Sequence, residues 1–162
     1  MTTFLDWVGY ATTIYTIVTL ALIIFAGLKG LILPLVRLGN GLSRRKIAIF
    51  AKGNNLNFLM NSLLDTKLFN KKNMIDISSV GDFGRAEGAT VFLIFWDDWK
   101  NNLDDIIHAK KDKTALVIYA PPGAIAQAEF AKLDSQRNVM VSNFRGRLLN
   151  DIVVCLMTTG YQ

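Results

Sequence analysis

The feature that most constrains this chain is an uncharged apolar run near its start. It reads WVGYATTIYTIVTLALIIFAGL from Trp7 to Leu28 and contains no Asp, Glu, Lys or Arg. At about 1.5 Å per residue this run spans roughly 33 Å as a helix, enough to cross a hydrocarbon core of about 30 Å. The preceding MTTFLD lacks the basic residues of a cleaved signal peptide. The sequence therefore predicts a permanent, single transmembrane helix.

The basic residues around this run predict its orientation. None precedes it, and those that follow it closely are Lys29, Arg37, Arg44, Arg45 and Lys46. By the positive-inside rule, the short N-terminus lies outside and the remainder lies in the cytoplasm, with the helix in the inner (plasma) membrane. We expect Pro34 to bend or end the helix, and residues 38–45 (LGNGLSRR) to form a polar linker or helix end.

Small and hydroxyl residues form a stripe along one face of the predicted span. Its members recur at helical spacing and are Thr12, Thr16, Thr19, Ala26 and Gly30. Such a face lets helices approach closely and hydrogen-bond to one another, which predicts a homo-oligomer. Threonine hydroxyls also donate to carbonyls of their own helix, so both interpretations remain open.

Five short apolar runs after residue 45 predict β-strands. They are KIAIFA (46–51), MIDISSV (74–80), TVFLIFW (90–96), TALVIYA (114–120) and NVMVSNF (138–144). Near-continuous apolar strands are typical of a parallel sheet covered on both faces. Segments with helical spacing lie between and after the strands, at 55–69, 101–111, 124–134 and 147–159. Residues 81–89 are Gly-rich and predict at most a short helix.

Strands that alternate with helices predict an α/β fold. Right-handed crossovers then give a three-layer domain with a five-stranded parallel sheet, and the expected strand order is 2-1-3-4-5, as in flavodoxin-like domains. The expected organisation is an N-terminal transmembrane anchor at 1–37, a basic juxtamembrane linker at 38–45 and a cytoplasmic Rossmann-like domain at 46–162.

Composition excludes several kinds of site. One Cys and one His cannot form a zinc site or a Cys/His cluster, so we expect no metal, no zinc and no haem. The net charge of +5 comes from basic residues spread along the chain, and part of it suits anionic lipid. The expected partner is therefore the lipid bilayer rather than a specific nucleic acid.

Ligands of such sheets bind beyond the carboxyl ends of the strands, at the switch point between the first and third strands. After the first strand come Lys52, Gly53, Asn54 and Asn55, which lead into a helix. Backbone N–H groups and a lysine at a helix N-terminus suit a phosphate. The segment lacks the spacing of a Walker A loop or a dinucleotide fingerprint, and the asparagines equally suit helix capping.

The third strand ends in WDDW, which is Trp96, Asp97, Asp98 and Trp99. One interpretation is a stacking platform for a base, with a carboxylate that holds a ribose hydroxyl or a cation. The other is a helix start, with Asp98 as the N-cap and both indoles packed in the core.

The fifth strand is followed by a basic loop that contains Asn143, Arg145 and Arg147. Arginine binds phosphates through planar, bidentate hydrogen bonds, which predicts an anion site. Pairing with Asp151, with acidic lipid or with a neighbouring subunit would use the same side chains.

The layout of an N-terminal span, a basic hinge and a small Rossmann-like domain resembles the membrane effectors of bacterial antiphage defence. In those families a CARF- or TIR-type domain senses a nucleotide signal and the membrane part oligomerises or opens. The segment ATVFLIFWDDWKNNLDD is similar to the TIR pattern of an apolar strand, a Trp and a downstream acid. TIR NADases place a Glu in the following helix, where this chain has Asp104 and Asp105.

Three functions follow as expectations. The first is a non-enzymatic membrane-anchored sensor or effector that binds a nucleotide-like anion and couples it to oligomerisation or membrane perturbation. The second, which the resemblance implies, is a TIR-like nucleotide hydrolase that uses Asp97, Asp98, Asp104 or Asp105. The third is a membrane scaffold that recruits a protein partner. The sequence does not identify a cofactor.

Overall fold

The computed structural model describes residues 2–159 and divides into two compact units, one up to Arg37 and one from Leu38 onward. A single helix, α1 (Thr2–Arg44), begins the chain. Its segment Trp7–Val36 is long and apolar enough to cross a membrane, and none of the most apolar part of that segment is buried in the protein. The prediction of an N-terminal apolar helix is therefore confirmed.

The helix does not end at Pro34, which lies inside α1; residues 38–44 form its last part, in agreement with the helix-end alternative for 38–45. Proline removes one intrahelical hydrogen bond, but the leucines and valine around it continue the helix. The Thr12 hydroxyl donates to the carbonyls of Val8 and Gly9, both at 3.0 Å, and the Thr16 hydroxyl donates to Thr12 O at 2.8 Å. These two threonines thus satisfy their own helix.

The second unit is an α/β domain whose parallel sheet has the order β2-β1-β3-β4-β5, which confirms the predicted topology. The strands are shorter than the apolar runs that predicted them: β1 (Ile47–Phe50), β2 (Met74–Ile77), β3 (Val91–Phe95), β4 (Ala115–Tyr119) and β5 (Val139–Ser142). The helices are α2 (Gly53–Leu64), α3 (Trp96–Trp99), α4 (Leu103–Ala109), α5 (Gln127–Asp134) and α6 (Arg145–Thr158). Short 3₁₀ segments lie at Lys71–Asn73, Val80–Ala86 and Lys100–Asn102.

The helix α2 ends earlier than its apolar spacing predicts. The Thr66 hydroxyl donates to Leu63 O at 2.6 Å, and Lys67 has a φ of 57° in the left-handed region that terminates helices. Leu68, which the sequence placed on the helix face, lies in the following turn and is exposed.

The sheet is covered on both faces, as the apolar strands predicted. Alternate residues of the central strands point to opposite faces. On one face, Phe50, Phe92 and Ile118 pack with residues of α3, α4 and α5. On the other, residues such as Ile49 pack with residues of α2 and α6.

Ser43, near the end of α1, and Arg45, just after it, bond to other residues of the second unit. Ser43 O accepts a hydrogen bond from the Asn73 side chain at 2.9 Å. The Arg45 guanidinium donates to the backbone carbonyls of Leu156 and Thr159. The last carbonyls of a helix lack intrahelical partners, so Arg45 completes the C-terminus of α6 with a favourable charge.

Candidate functional site

The switch point between β1 and β3 is closed by the protein's own side chains. The Asp98 carboxylate accepts from the backbone N–H of Lys52 at 2.8 Å and from the Asn55 amide at 3.0 Å. Asp98 is not the N-cap of α3, since Phe95 has that position. A carboxylate from the neighbouring strand end thus lies at the start of α2, where the sequence predicted a bound anion.

The indole rings of Trp96 and Trp99 are buried and belong to the core. Trp96 Nε1 donates to Ala124 O at 3.2 Å, and Trp99 packs against Phe50 at a centroid distance of 5.6 Å. The Lys52 ammonium lies 4.9 Å from the Trp99 centroid, a cation–π distance. This arrangement matches the packing interpretation of WDDW and leaves neither indole exposed for stacking on a base.

The remaining predicted members of this region face solvent. Gly53 opens α2 with a φ of +49°, which only glycine adopts without strain. Asn54 and Asp97 are exposed, and within residues 2–159 Asp97 makes no side-chain hydrogen bond or ion pair. The structure therefore brings Lys52, Asn55, Asp98 and Trp99 together, but these residues contact one another. We call this group the Asp98 clasp.

The carboxylates predicted for a hydrolase do not form a shared metal or acid pair. Asp98 holds the loop after β1, whereas Asp104 makes an ion pair with Lys132 of α5. Asp105 is exposed in the first turn of α4. Within the described part of the chain, no group of three His, Cys, Asp or Glu residues could hold a metal ion.

A cavity opens instead at the carboxyl ends of β4 and β5. It has a volume of about 220 Å³ and is bounded by the Pro122–Gly123 turn, Phe130, Asn143 and Arg147. Asn143 Oδ1 is buried and has no hydrogen-bond partner in residues 2–159. A buried polar atom without a partner costs about 1–3 kcal/mol, so its presence beside a cavity indicates a place for a donor.

Two acids orient the arginines at this edge. Asp151 accepts from the Ser142 hydroxyl and lies 3.6 Å from Arg147 Nε. The terminal Nη atoms of Arg147 have no acceptor in the described residues, and its side chain is 61% exposed. Arg145 Nη2 lies 2.7 Å from Asp65 at the end of α2, in an exposed pair. Exposed pairs contribute little, so the guanidinium of Arg145 can exchange this partner for a ligand.

The structure thus separates two groups that the sequence placed in one site. The residues after β1 and β3 form the Asp98 clasp, and Asn143 and Arg147 line a cavity one strand away. The roles of Asp98 and of the Pro122–Gly123 turn were not predicted. The i, i+4 spacing of Arg147 and Asp151 was the available signal for their ion pair.

No protein-family model, curated protein or solved structure matches this chain.

Proposed function

We propose that this chain is a membrane-anchored sensor or effector whose α/β domain binds a nucleotide-like anion in the cavity at the carboxyl ends of β4 and β5. The observation that carries the proposal is the buried Asn143 Oδ1, which has no partner in residues 2–159 and belongs to a residue that lines the same cavity as Arg147. Asn143 accepts from a ligand hydroxyl or amine, and Arg147 binds phosphate; Arg145, two positions earlier in the chain, does not line the cavity but adds positive charge to the start of α6. A nucleotide carries both kinds of group. The role in bacterial antiphage defence implied by the resemblance belongs to this proposal.

The site lies at the N-terminus of α6, which begins at Arg145. Backbone N–H groups in the first turn of a helix favour an anion, and both arginines of the site lie in that turn. The Asp98 clasp leaves this edge, rather than the switch point, as the proposed location of the ligand.

The test is a thermal unfolding titration of the full chain in detergent, followed by tryptophan fluorescence because Trp96 and Trp99 are buried. Probes are ADP, adenosine and NAD. A probe at 100 times its Kd stabilises the folded state by about 2.7 kcal/mol, a shift of several degrees in Tm. We expect ADP to raise Tm and adenosine to have no effect.

Arg147→Ala and Asn143→Ala should each abolish the ADP shift. Arg137→Ala removes an exposed arginine outside the cavity and is the matched control. An equal ADP shift in Arg147→Ala and Arg137→Ala, or no shift with any probe, would refute the proposed site. Turnover of NAD that survives Arg147→Ala would support the hydrolase instead.

We also propose that α1 crosses the inner membrane once, with its N-terminus outside. In a Cys155→Ala background, a cysteine at Thr3 should react with an impermeant maleimide in intact spheroplasts. A cysteine at Lys113, exposed in the α/β domain, should react only after lysis. The reverse pattern would refute this orientation.

A further inference from the structure

The two edges of the sheet differ in their protection. The edge strand β2 carries Asp76, which lies 3.0 Å from Arg85 in an ion pair. The other edge strand, β5, reads VMVS and has no charged residue. Natural proteins block free strand edges with charges, prolines or bulges, because an unprotected edge pairs with another strand. The β5 edge lacks charge and proline.

The hydrogen-bond register shows which backbone groups of β5 have no partner within residues 2–159. Leu116 N donates to Asn138 O and Ala120 N donates to Ser142 O, so these alternate residues face β4. In a parallel ladder the intervening residues direct their N–H and C=O groups to the opposite side. Val139 and Val141 therefore present two donors and two acceptors at the open edge.

A groove runs along the β5 edge and is lined by residues of α5, β5 and α6. Its volume is about 310 Å³, and it is lined by apolar residues of β5 together with Phe130, Asp134 and Arg147. Phe130 is 43% exposed, and Val139, Met140 and Val141 are only partly buried, whereas β1 is fully buried. The edge thus combines unpaired backbone groups with unfilled apolar surface.

We infer that β5 pairs antiparallel with β5 of a second copy of this chain, across a twofold axis at Met140. Val139 of each copy then forms a hydrogen-bonded pair with Val141 of the other, which satisfies the free backbone groups. The sheets join into one continuous sheet. This pairing goes beyond the proposed ligand site, with which it shares Arg147, and it requires no bound ligand.

The charged residues at the two ends of the groove favour a second copy of this chain as the partner of the β5 edge. Asp134 lies before the amino end of β5 and Arg147 lies after its carboxyl end, and both line the groove. Antiparallel pairing about Met140 reverses one groove relative to the other, so the end that carries Arg147 in one copy meets the end that carries Asp134 in the other, twice. An isologous interface needs this self-complementarity, and a partner of uniform charge would not provide it.

Disulfide trapping tests the register in the full chain, reconstituted in nanodiscs. Cys155, whose Sγ lies 3.7 Å from Met140 Sδ, is first replaced by Ala so that it cannot pair within one copy. Met140 of one copy faces Met140 of the other as a non-hydrogen-bonded pair, with Cα atoms about 4.5 Å apart, within disulfide range. Met140→Cys should therefore give cross-linked dimer under mild oxidation.

Matched controls use the neighbouring positions. Val139→Cys alone should not cross-link, because its symmetry mate lies about 8 Å away and beyond disulfide range. Val139→Cys co-expressed with a differently tagged Val141→Cys should cross-link only between the two tags. Equal trapping at 139 and 140, or no trapping at 140, would overturn the proposed register.

Native mass spectrometry of the detergent-extracted chain provides a second measurement. The unmodified chain should be dimeric. Val141→Pro, which removes an outward N–H that the monomer does not use, should be monomeric with unchanged tryptophan fluorescence. A monomeric unmodified chain, or a dimeric Val141→Pro variant, would overturn the inference.

Discussion

The Asp98 clasp makes the strongest prediction about the stability of the domain. Asp98→Ala removes both acceptors, one for the Lys52 backbone N–H at 2.8 Å and one for the Asn55 amide at 3.0 Å. Hydrogen bonds to a charged group contribute about 1.5–3 kcal/mol each. Asp98 is partly exposed, so water replaces part of this contribution, and we expect a loss of about 2–3 kcal/mol.

Asp98→Asn should cost about half as much. Asparagine keeps one carbonyl acceptor but turns an NH₂ group toward a second donor, so one of the two bonds is lost. With an m-value of about 1.5 kcal/mol/M, the alanine variant should lower the urea midpoint by about 1.5 M and the asparagine variant by about half of that.

The measurement is urea unfolding of the full chain in neutral detergent, followed by tryptophan fluorescence. Trp7, which is exposed on α1, is replaced by Phe so that the signal reports the buried Trp96 and Trp99. Asp97→Ala is the control, because it removes an adjacent, exposed carboxylate. The reasoning fails if Asp98→Ala and Asp97→Ala shift the midpoint equally, or if the former shifts it by less than about 0.3 M.

Two other predictions concern α6. Arg45→Ala should lower the free energy of unfolding by about 1–3 kcal/mol, since it leaves the Leu156 and Thr159 carbonyls without their donor, and Arg44→Ala is the urea-melt control. Burial raises the pKa of the Cys155 thiol to about 11 from its usual 9.0. The unfolded state then loses its proton first, so stability should fall as pH rises from about 9 to 11. The urea midpoint of Cys155→Ala should fall less over that pH range. In the folded protein, Cys155 should react slowly with iodoacetamide at pH 8. Fast labelling before unfolding would contradict the burial of this thiol.

The fold could be predicted from the sequence because its signals are local. Each buried strand has a continuous apolar run, and the helices between them dictate parallel pairing with right-handed crossovers. The discrepancies lie at helix ends. The sequence extended α2 to residue 69, but the Thr66 hydroxyl bond and the left-handed Lys67 terminate it earlier.

Less of the candidate site could be predicted from the sequence, because its contacts join residues that are far apart in the chain. Both switch-point loops were identified, but their composition does not show that the Asp98 carboxylate would bind Lys52 N, which is 46 positions away. The same limit applies to Asn143. The sequence marks it as polar after a strand, but it does not show that the Asn143 side-chain oxygen is buried without a partner in residues 2–159, or that the residue shares a cavity with the loop after β4.

The contact of Arg45 with the end of α6 also has a consequence for the order of assembly. Arg45 and its two acceptors are 111 and 114 positions apart in the chain. During synthesis Arg45 therefore leaves the ribosome well before the carbonyls that it binds. This contact within the second unit can therefore form only after α6 has been synthesised. A chain truncated before Leu156 would contain the residues of α1 and of all five strands but would lack this contact.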